Sequence, residues 1–413
     1  MRIIVIFLSL FAVTQPSLAQ ITWTQIESGT DRYLNTIQFV DNLVGYIGGD
    51  RTLLKTTDGG ANWLSVQLDS LGISPFQSLN IADMHWFSED HGIILASGWD
   101  GMRETYDGGF SWEVVATGAG FCDIGSLFYF DENLGFAGGA GCFEGHIIDR
   151  FDNGSWTTAM DPNDWSGQNL VISIEFKDAM TGFAGTNNGT ILRTTDAGLN
   201  WDTISNNLQN DALVTDFAFY GGDTIRASIT SEWGVMISFD NGLTWGYDSE
   251  TATFFYPQME AIHIDGNGTS FIGGSSSNIT GVIFDNHGPF WYYNTIGHPI
   301  RDITSHSDSI TFLVGDTGAI YVNVDPSTLT TTELIESPAF NMAPNPALDE
   351  LNISGVEGMI NKITVFDSSG RLVIQEMGVS STQRLDVSRL ESGVFILVIE
   401  TEKGVARKEF VKH

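Results

Sequence analysis

The chain has 413 residues, with 51 Asp and Glu set against 18 Lys and Arg, for a formal net charge of −33. Residues 21–338 carry 41 acidic and 9 basic residues, and Lys55 and Lys177 are their only lysines. Such a body repels nucleic acid and anionic lipid, which are held by clustered cations, and suits a solvated extracellular surface.

Met1-Arg2 followed by the apolar stretch Ile3 to Val13 and by Ser17-Leu18-Ala19 reads as a secretory signal peptide over 1–19. It is too short to be a membrane span, and no later stretch is long enough to be one. Gln20 rather than Cys follows the expected cut, which disfavours a lipid anchor. Cys122 and Cys142, an even pair in an exported chain, read as a disulfide more readily than as a metal or nucleophile site.

From residue 20 onward a repeat takes over. Trp23, Trp63, Trp112, Trp156, Trp201, Trp245 and Trp291 are separated by 40, 49, 44, 45, 44 and 46 residues. Short alternating strands and Gly or Asp turns fill each interval. Blade 1, for example, runs Thr36-Ile37-Gln38-Phe39, Gly48-Gly49 and Leu53-Leu54-Lys55, and blade 4 runs Ser173-Ile174-Glu175-Phe176, Gly185 and Ile191-Leu192-Arg193. A period in the forties built of strands predicts a β-propeller, here over 20–324. Three strands follow Arg301 (Arg301–Thr304, Thr311–Gly315 and Ala319–Val322) without a Trp strand, whereas Thr22–Ile26 matches Asn62–Val66. The N-terminal strand is therefore expected to complete a seventh blade and close the ring.

A linker is expected over 325–342. Beyond it, 343–413 reads as a small antiparallel β-sandwich, from Pro344-Asn345-Pro346 through Gly370 and Gly393 to the basic ending at Lys408. The fold class expected is all-β, a seven-bladed propeller followed by this sandwich.

Four of the tryptophans close an Asp-x-Gly-x-x-Trp turn, built on Asp58 and Trp63, Asp107 and Trp112, Asp196 and Trp201, and Asp240 and Trp245. These turns resemble the Asp-box, or bacterial neuraminidase repeat. The phrase Phe39-Val40-Asp41 … Gly48-Gly49 … Lys55-Thr56-Thr57-Asp58-Gly59-Gly60 is similar to photosystem II assembly-factor-like propellers. The segment with Pro344-Asn345-Pro346, Val365-Phe366-Asp367, Gly370-Arg371-Leu372-Val373 and Leu390 … Gly393-Val394-Phe395 resembles a type A sorting domain of the type IX secretion system of Bacteroidetes. That resemblance implies passage across the outer membrane by the type IX machinery, with release or attachment at the cell surface. Ala343 stands where the family usually has an aromatic, and Phe340 lies nearby.

The conspicuous carboxylates Asp58, Asp107, Asp196 and Asp240 read as turn-formers, because Asp accepts backbone N–H groups and Gly supplies positive φ. A sialidase, which the Asp-box resemblance suggests, needs converging arginines. Arg150 and Arg193 instead precede turns on third strands, and the expected ring has seven blades where that family has six. The Asp turns join third to fourth strands, so a binding surface is expected on the opposite face, among the inter-blade and second-to-third-strand loops. Asp31, Asp50, Phe76, Trp99, Asp100, Phe143, Trp165, Trp233, Tyr256 and Asp316 fall there. Of these, Asp50, Trp99, Asp100, Trp165, Trp233 and Tyr256 are the ligand-binding candidates, since aromatics beside carboxylates suit sugars or a protein partner. The expectation is a monomeric, exported recognition propeller without catalytic residues, metal or cofactor. The alternatives are a secreted glycoside hydrolase using a carboxylate pair on the loop face and an envelope assembly factor.

Overall fold

The computed structural model describes residues 21–413 except 67, 69–78, 97–100, 116–120, 142–147, 161–169, 205–211, 232–233, 249–257, 278–279, 287–290, 308–309, 325–339, 356–358, 368–371, 378–382 and 402–403. The expected signal peptide, most of the linker, Cys142 and the side chain of Cys122 therefore lie outside the described residues.

Seven four-stranded antiparallel sheets carry the body of the chain. Their inner strands are Leu34–Phe39, Ile81–Trp86, Phe121–Asp131, Val171–Phe176, Val214–Phe219, Gln258–Ile264 and Ile300–Ser307. Each inner strand packs beside the next, and the first also packs beside the seventh, so the sheets close into a ring. The seventh blade is completed from the other end of the chain: Trp23–Ile26 pairs antiparallel with Ile320–Val324, Trp23 opposite Asn323 and Ile26 opposite Ile320. Trp23 meets Phe271 of the sixth blade edge to face at 5.7 Å. Seven blades closed by the N-terminal strand are what the tryptophan spacing leads one to expect.

The blades dock through a size rule. Gly48, Gly138 and Gly273 on second strands lie against the first buried aliphatic of the following blade, where a Cβ would come within 2.5 Å of Ile81, 2.5 Å of Val171 and 2.6 Å of Ile300. Those aliphatics are fully buried. A missing side chain on one blade is thus filled by a branched one from its neighbour, which keeps the seam dense.

The C-terminal segment folds into two facing sheets. Asn341–Ala343, Glu350–Ser354 and Gln383–Asp386 form one, and Leu372–Met377, Ile360–Asp367, Gly393–Thr401 and Gly404–Lys412 form the other. Their core includes Leu351, Ile353, Ile363, Val365, Leu385, Leu397, Ile399 and Phe410. Phe340, read from sequence as linker, is buried in this core, so the sandwich starts slightly earlier than 343. Lys408 donates to the Phe340 carbonyl and sits 5.0 Å over its ring. Asn345 accepts from the Val411 N–H at 2.9 Å, and Gly393 pairs opposite Lys412. Pro344 and Pro346 flank that Asn345 contact; Gly370 lies outside the described residues.

Candidate functional site

The Asp turns are closed hydrogen-bond units. Thr56 Oγ1 donates to Asp58 Oδ1 at 2.8 Å and accepts from Gly60 N–H at 3.0 Å. Asn62 donates to both Asp58 oxygens, from backbone and side chain, at 2.9 Å each. Blades 2, 4 and 5 repeat the pattern with Thr105, Asp107 and Ser111, with Thr194, Asp196 and Asn200, and with Ser238, Asp240 and Thr244. The Asn200 bonds hold the Asp196 carboxyl below its usual range, and the Thr244 bonds do the same for Asp240. The Ser or Thr two residues before each Asp escapes a reading centred on Asp, Gly and Trp.

These turns also clamp neighbouring blades. Gly198 and Gly242, at φ +72° and +79°, lie where a Cβ would come within 2.2 Å of the Phe136 and Phe183 rings of the preceding blades. Arg150 donates to the Ala197 carbonyl at 3.2 Å and Arg193 to the Asn241 carbonyl at 3.0 Å, so both arginines are occupied at blade seams.

On the loop face, Asp50 forms an ion pair with Arg32 at 3.1 Å, and its backbone bridges to Asn80. Trp99, Asp100, Trp165, Trp233 and Tyr256 fall outside the described residues. Asp50 is not in the wall of the cavity that the ring encloses.

That cavity is the central channel, about 430 Å³, with walls drawn from all seven inner strands. A local irregularity builds it. Every inner strand skips one residue in its pairing, between Leu34 and Thr36, Ile81 and Asp83, Ile124 and Ser126, Val171 and Ser173, Val214 and Asp216, Met259 and Ala261, and Ile300 and Asp302. Such a bulge re-aims side chains that regular alternation would send elsewhere. The skipped residues, Asn35, Ala82, Gly125, Ile172, Thr215, Glu260 and Arg301, all line the cavity.

At the next position side chains staple most of the seams, blade 6 carrying Ala261 there. Asp83 Oδ1 accepts the Met84 N–H at 2.8 Å, and its Oδ2 accepts the Leu127 N–H of the third blade at 2.7 Å. Asp216 links Phe217 at 2.7 Å to Ile262 of the sixth blade at 2.9 Å, and Asp302 links Ile303 at 2.7 Å to Ile37 of the first at 2.8 Å. Ser126 Oγ accepts from Ile174 N–H at 3.0 Å in the same manner. Each side chain satisfies a backbone donor on the following blade, a requirement for buried polar groups. Gln38, His85, Glu175 and His263 also line the cavity, and Gln38 itself staples blade 2, donating to the Trp86 carbonyl at 3.2 Å and accepting from its N–H at 2.7 Å.

The electrostatics follow from enclosure. Burial drives the carboxyl of Asp83 up to about 6, Asp302 to about 7 and Asp216 to about 8, against the hydrogen bonds that favour ionisation. Glu175 is pushed well above its usual value by burial first, then by Asp216, Asp83 and Asp302. Burial lowers His85 and His263 to about 4, so both imidazoles are neutral at pH 7. Arg301 at the rim is paired with Asp316 at 2.5 Å and lies 5.0 Å over the Tyr33 ring. The channel therefore holds several carboxyls that exchange protons near neutrality, the kind of perturbed cluster that marks a functional site. Among the described residues no group of three or more His, Cys, Asp or Glu converges to hold a metal ion.

Solved structures of similar shape agree with the ring. YCF48 bound to a D1 peptide superposes with a TM-score of 0.58 at 14% identity, covering 75% of this chain and 99% of that one. YCF48 from Cyanidioschyzon merolae gives 0.57 at 14% identity, covering 74% and 99%. The extracellular domain of the BT4673 one-component system of B. thetaiotaomicron gives 0.56 at 12% identity, covering 94% of this chain and 52% of that one. At such identities the likeness is one of fold. No curated protein matches the chain. Residues 341–413 match the secretion system C-terminal sorting domain family, so this β-propeller carries a type IX export signal and is delivered to the cell surface or released.

Proposed function

We propose that the exported propeller is a recognition module that takes a glycan or protein ligand into its central channel, with Asp50, Trp99, Asp100, Trp165, Trp233 and Tyr256 as further ligand-binding candidates from its loops. The observation that supports this reading is the polar cavity of about 430 Å³, whose walls come from all seven blades. A preformed concave site with a few convergent polar groups is the usual form of a ligand pocket. A solved propeller of the same shape holds a peptide, which is compatible with a protein ligand here. In this reading the Asp turns, including Asp58, Asp107, Asp196 and Asp240, keep the ring together and take no part in binding, and Cys122 with Cys142 forms a disulfide.

Glycan arrays and pull-downs with the full chain test the proposal, using Ala82→Phe as the blocked control. Ala82 lines the cavity, and a phenyl ring there fills its space whatever the ligand's charge. Binding by the native chain and its loss in Ala82→Phe are expected. The outcome against it is hydrolysis of a polysaccharide that Asp216→Asn abolishes in a folded protein. That result would make the raised carboxyl a general acid and the protein a glycosidase.

A further inference from the structure

Of the two cavity carboxyls without a hydrogen bond among the described residues, Glu260 has the Arg301 charge beside it, whereas Glu175 faces only other acids. Asp83, Asp216 and Asp302 each accept two backbone N–H groups. The half-buried Glu175 side chain lines the channel and has no hydrogen-bond partner among the described residues. A carboxyl that the fold leaves without donors stays open to a donor entering the channel. Ser126 and Thr36 add side-chain bonds to Asp83 and Thr36 adds one to Asp302, so of the three Asp staples Asp216 keeps the most of a carboxylate's roughly four lone-pair sites.

What would satisfy Glu175 is constrained by its surroundings. The Asp83, Asp216 and Asp302 carboxyls act on it from blades 2, 5 and 7, so an anion entering the channel meets like charge. The acceptors are spread around a ring and do not converge at metal-ligand distance among the described residues. A compact metal ion is thus less suited than an elongated donor. Ile172 and Phe128 supply apolar wall beside the acceptors, against which methylenes can lie. A donor group carrying positive charge on an alkyl stem meets all three conditions.

We infer that the channel is a receptor for an alkylammonium group, either a free polyamine or a lysine side chain of a protein partner, with Glu175 as its counter-ion. This inference rests on the recognition reading above and names the ligand class for that same cavity. Entry of the cation displaces protons shared among Glu175 and the facing Asp83, Asp216 and Asp302, so binding releases protons near pH 7 and strengthens as pH rises from 6 to 8.5. Glu260 and the Asp316-paired Arg301 also line the channel, and Glu260 is raised by burial and shares this trend. His85 and His263 stay neutral over that range.

The test is titration calorimetry of the full chain with spermidine and with a lysine-bearing peptide. An acetyl-lysine peptide and a neutral oligosaccharide serve as controls, and buffers of different ionisation enthalpy count protons. Glu175→Gln is expected to weaken the cationic probes at least tenfold while its thermal transition is retained. The exposed Glu113→Gln reports non-specific attraction to the acidic surface and is expected to change nothing. Spermidine binding without peptide binding identifies the free amine as the source, and the reverse identifies a protein lysine. No binding of either cationic probe, or equal binding by Glu175→Gln, overturns the inference. If a neutral glycan binds instead and Ala82→Phe blocks it, the recognition reading stands while the ammonium reading falls.

Discussion

Asp196 and Glu175 show how the same functional group is put to opposite uses. Asp196 is ringed by donors from Thr194 and Asn200 and its pKa falls; Glu175 faces other carboxyls across the channel without donors among the described residues, and its pKa rises. The consequences for stability have opposite signs. The depressed Asp196 and Asp240 contribute stability above the ordinary carboxylate range, lost as pH falls through their folded values. The raised Asp83, Asp302 and Asp216 contribute stability that is complete below about 4 and is lost as pH climbs through about 6, 7 and 8. Thermal melts should therefore show greatest stability on the acid side of neutrality, with the midpoint falling between pH 5 and pH 8.5. Glu175→Gln should flatten that fall and raise the midpoint at pH 8, because it removes a charge facing other carboxyls without removing a bond. Asp196→Ala should lower stability by about 1–2 kcal/mol in chemical denaturation, the typical cost of losing a cap that satisfies backbone donors. Gly198→Ala should cost about 1–3 kcal/mol, because it imposes positive φ on a side chain and drives it into Phe136.

Among the elements, the Trp strands and the inner strands were legible in the sequence to very different degrees. Six of the seven Trp strands announce themselves by a bulky residue after a glycine turn, and the spacing and the match of Thr22–Ile26 to Asn62–Val66 give Trp23–Ile26 its role. The Asp152-Asn153-Gly154-Ser155 stretch is a shortened version of the same hairpin, with Asn153 and Gly154 at φ +48° and +89° as a two-residue loop of this kind needs. The channel stayed hidden for a physical reason. Its bulges break the period-two alternation, so Asp83, Asp216 and Asp302 read as outward polar residues on half-exposed strands. Their partners are also more than 40 residues away on the next blade. A signal was nevertheless present: Thr36, Asp83, Ser126, Ser173, Asp216 and Asp302 each precede the buried aliphatic or aromatic of an inner strand. Swapping Asp83 for Ala should leave the Leu127 N–H without its acceptor and loosen the seam between blades 2 and 3, read as faster amide exchange along both inner strands.

At the scale of the whole molecule the acidic body and the export signal fit together, since a chain bound for the cell surface gains solubility from net charge. Ring closure is the dominant global constraint. Removing residues 21–26 leaves Ile320–Val324 as an exposed strand edge and strips Trp23 from Phe271. The expected result is aggregation during size-exclusion chromatography rather than a smaller stable monomer. The clasp also sets a timetable. The earliest strand of the propeller finds its partner only when residues near 320 have appeared, a sequence separation of about 300 residues for a single pairing. Contacts so distant along the chain form slowly, and a propeller lacking its last blade has no finished state in which to rest. Refolding of the full chain should therefore have a late phase seen by Trp23 and not by Trp201, and a circular permutant that joins Val324 to Trp23–Ile26 through a short turn linker should lose it.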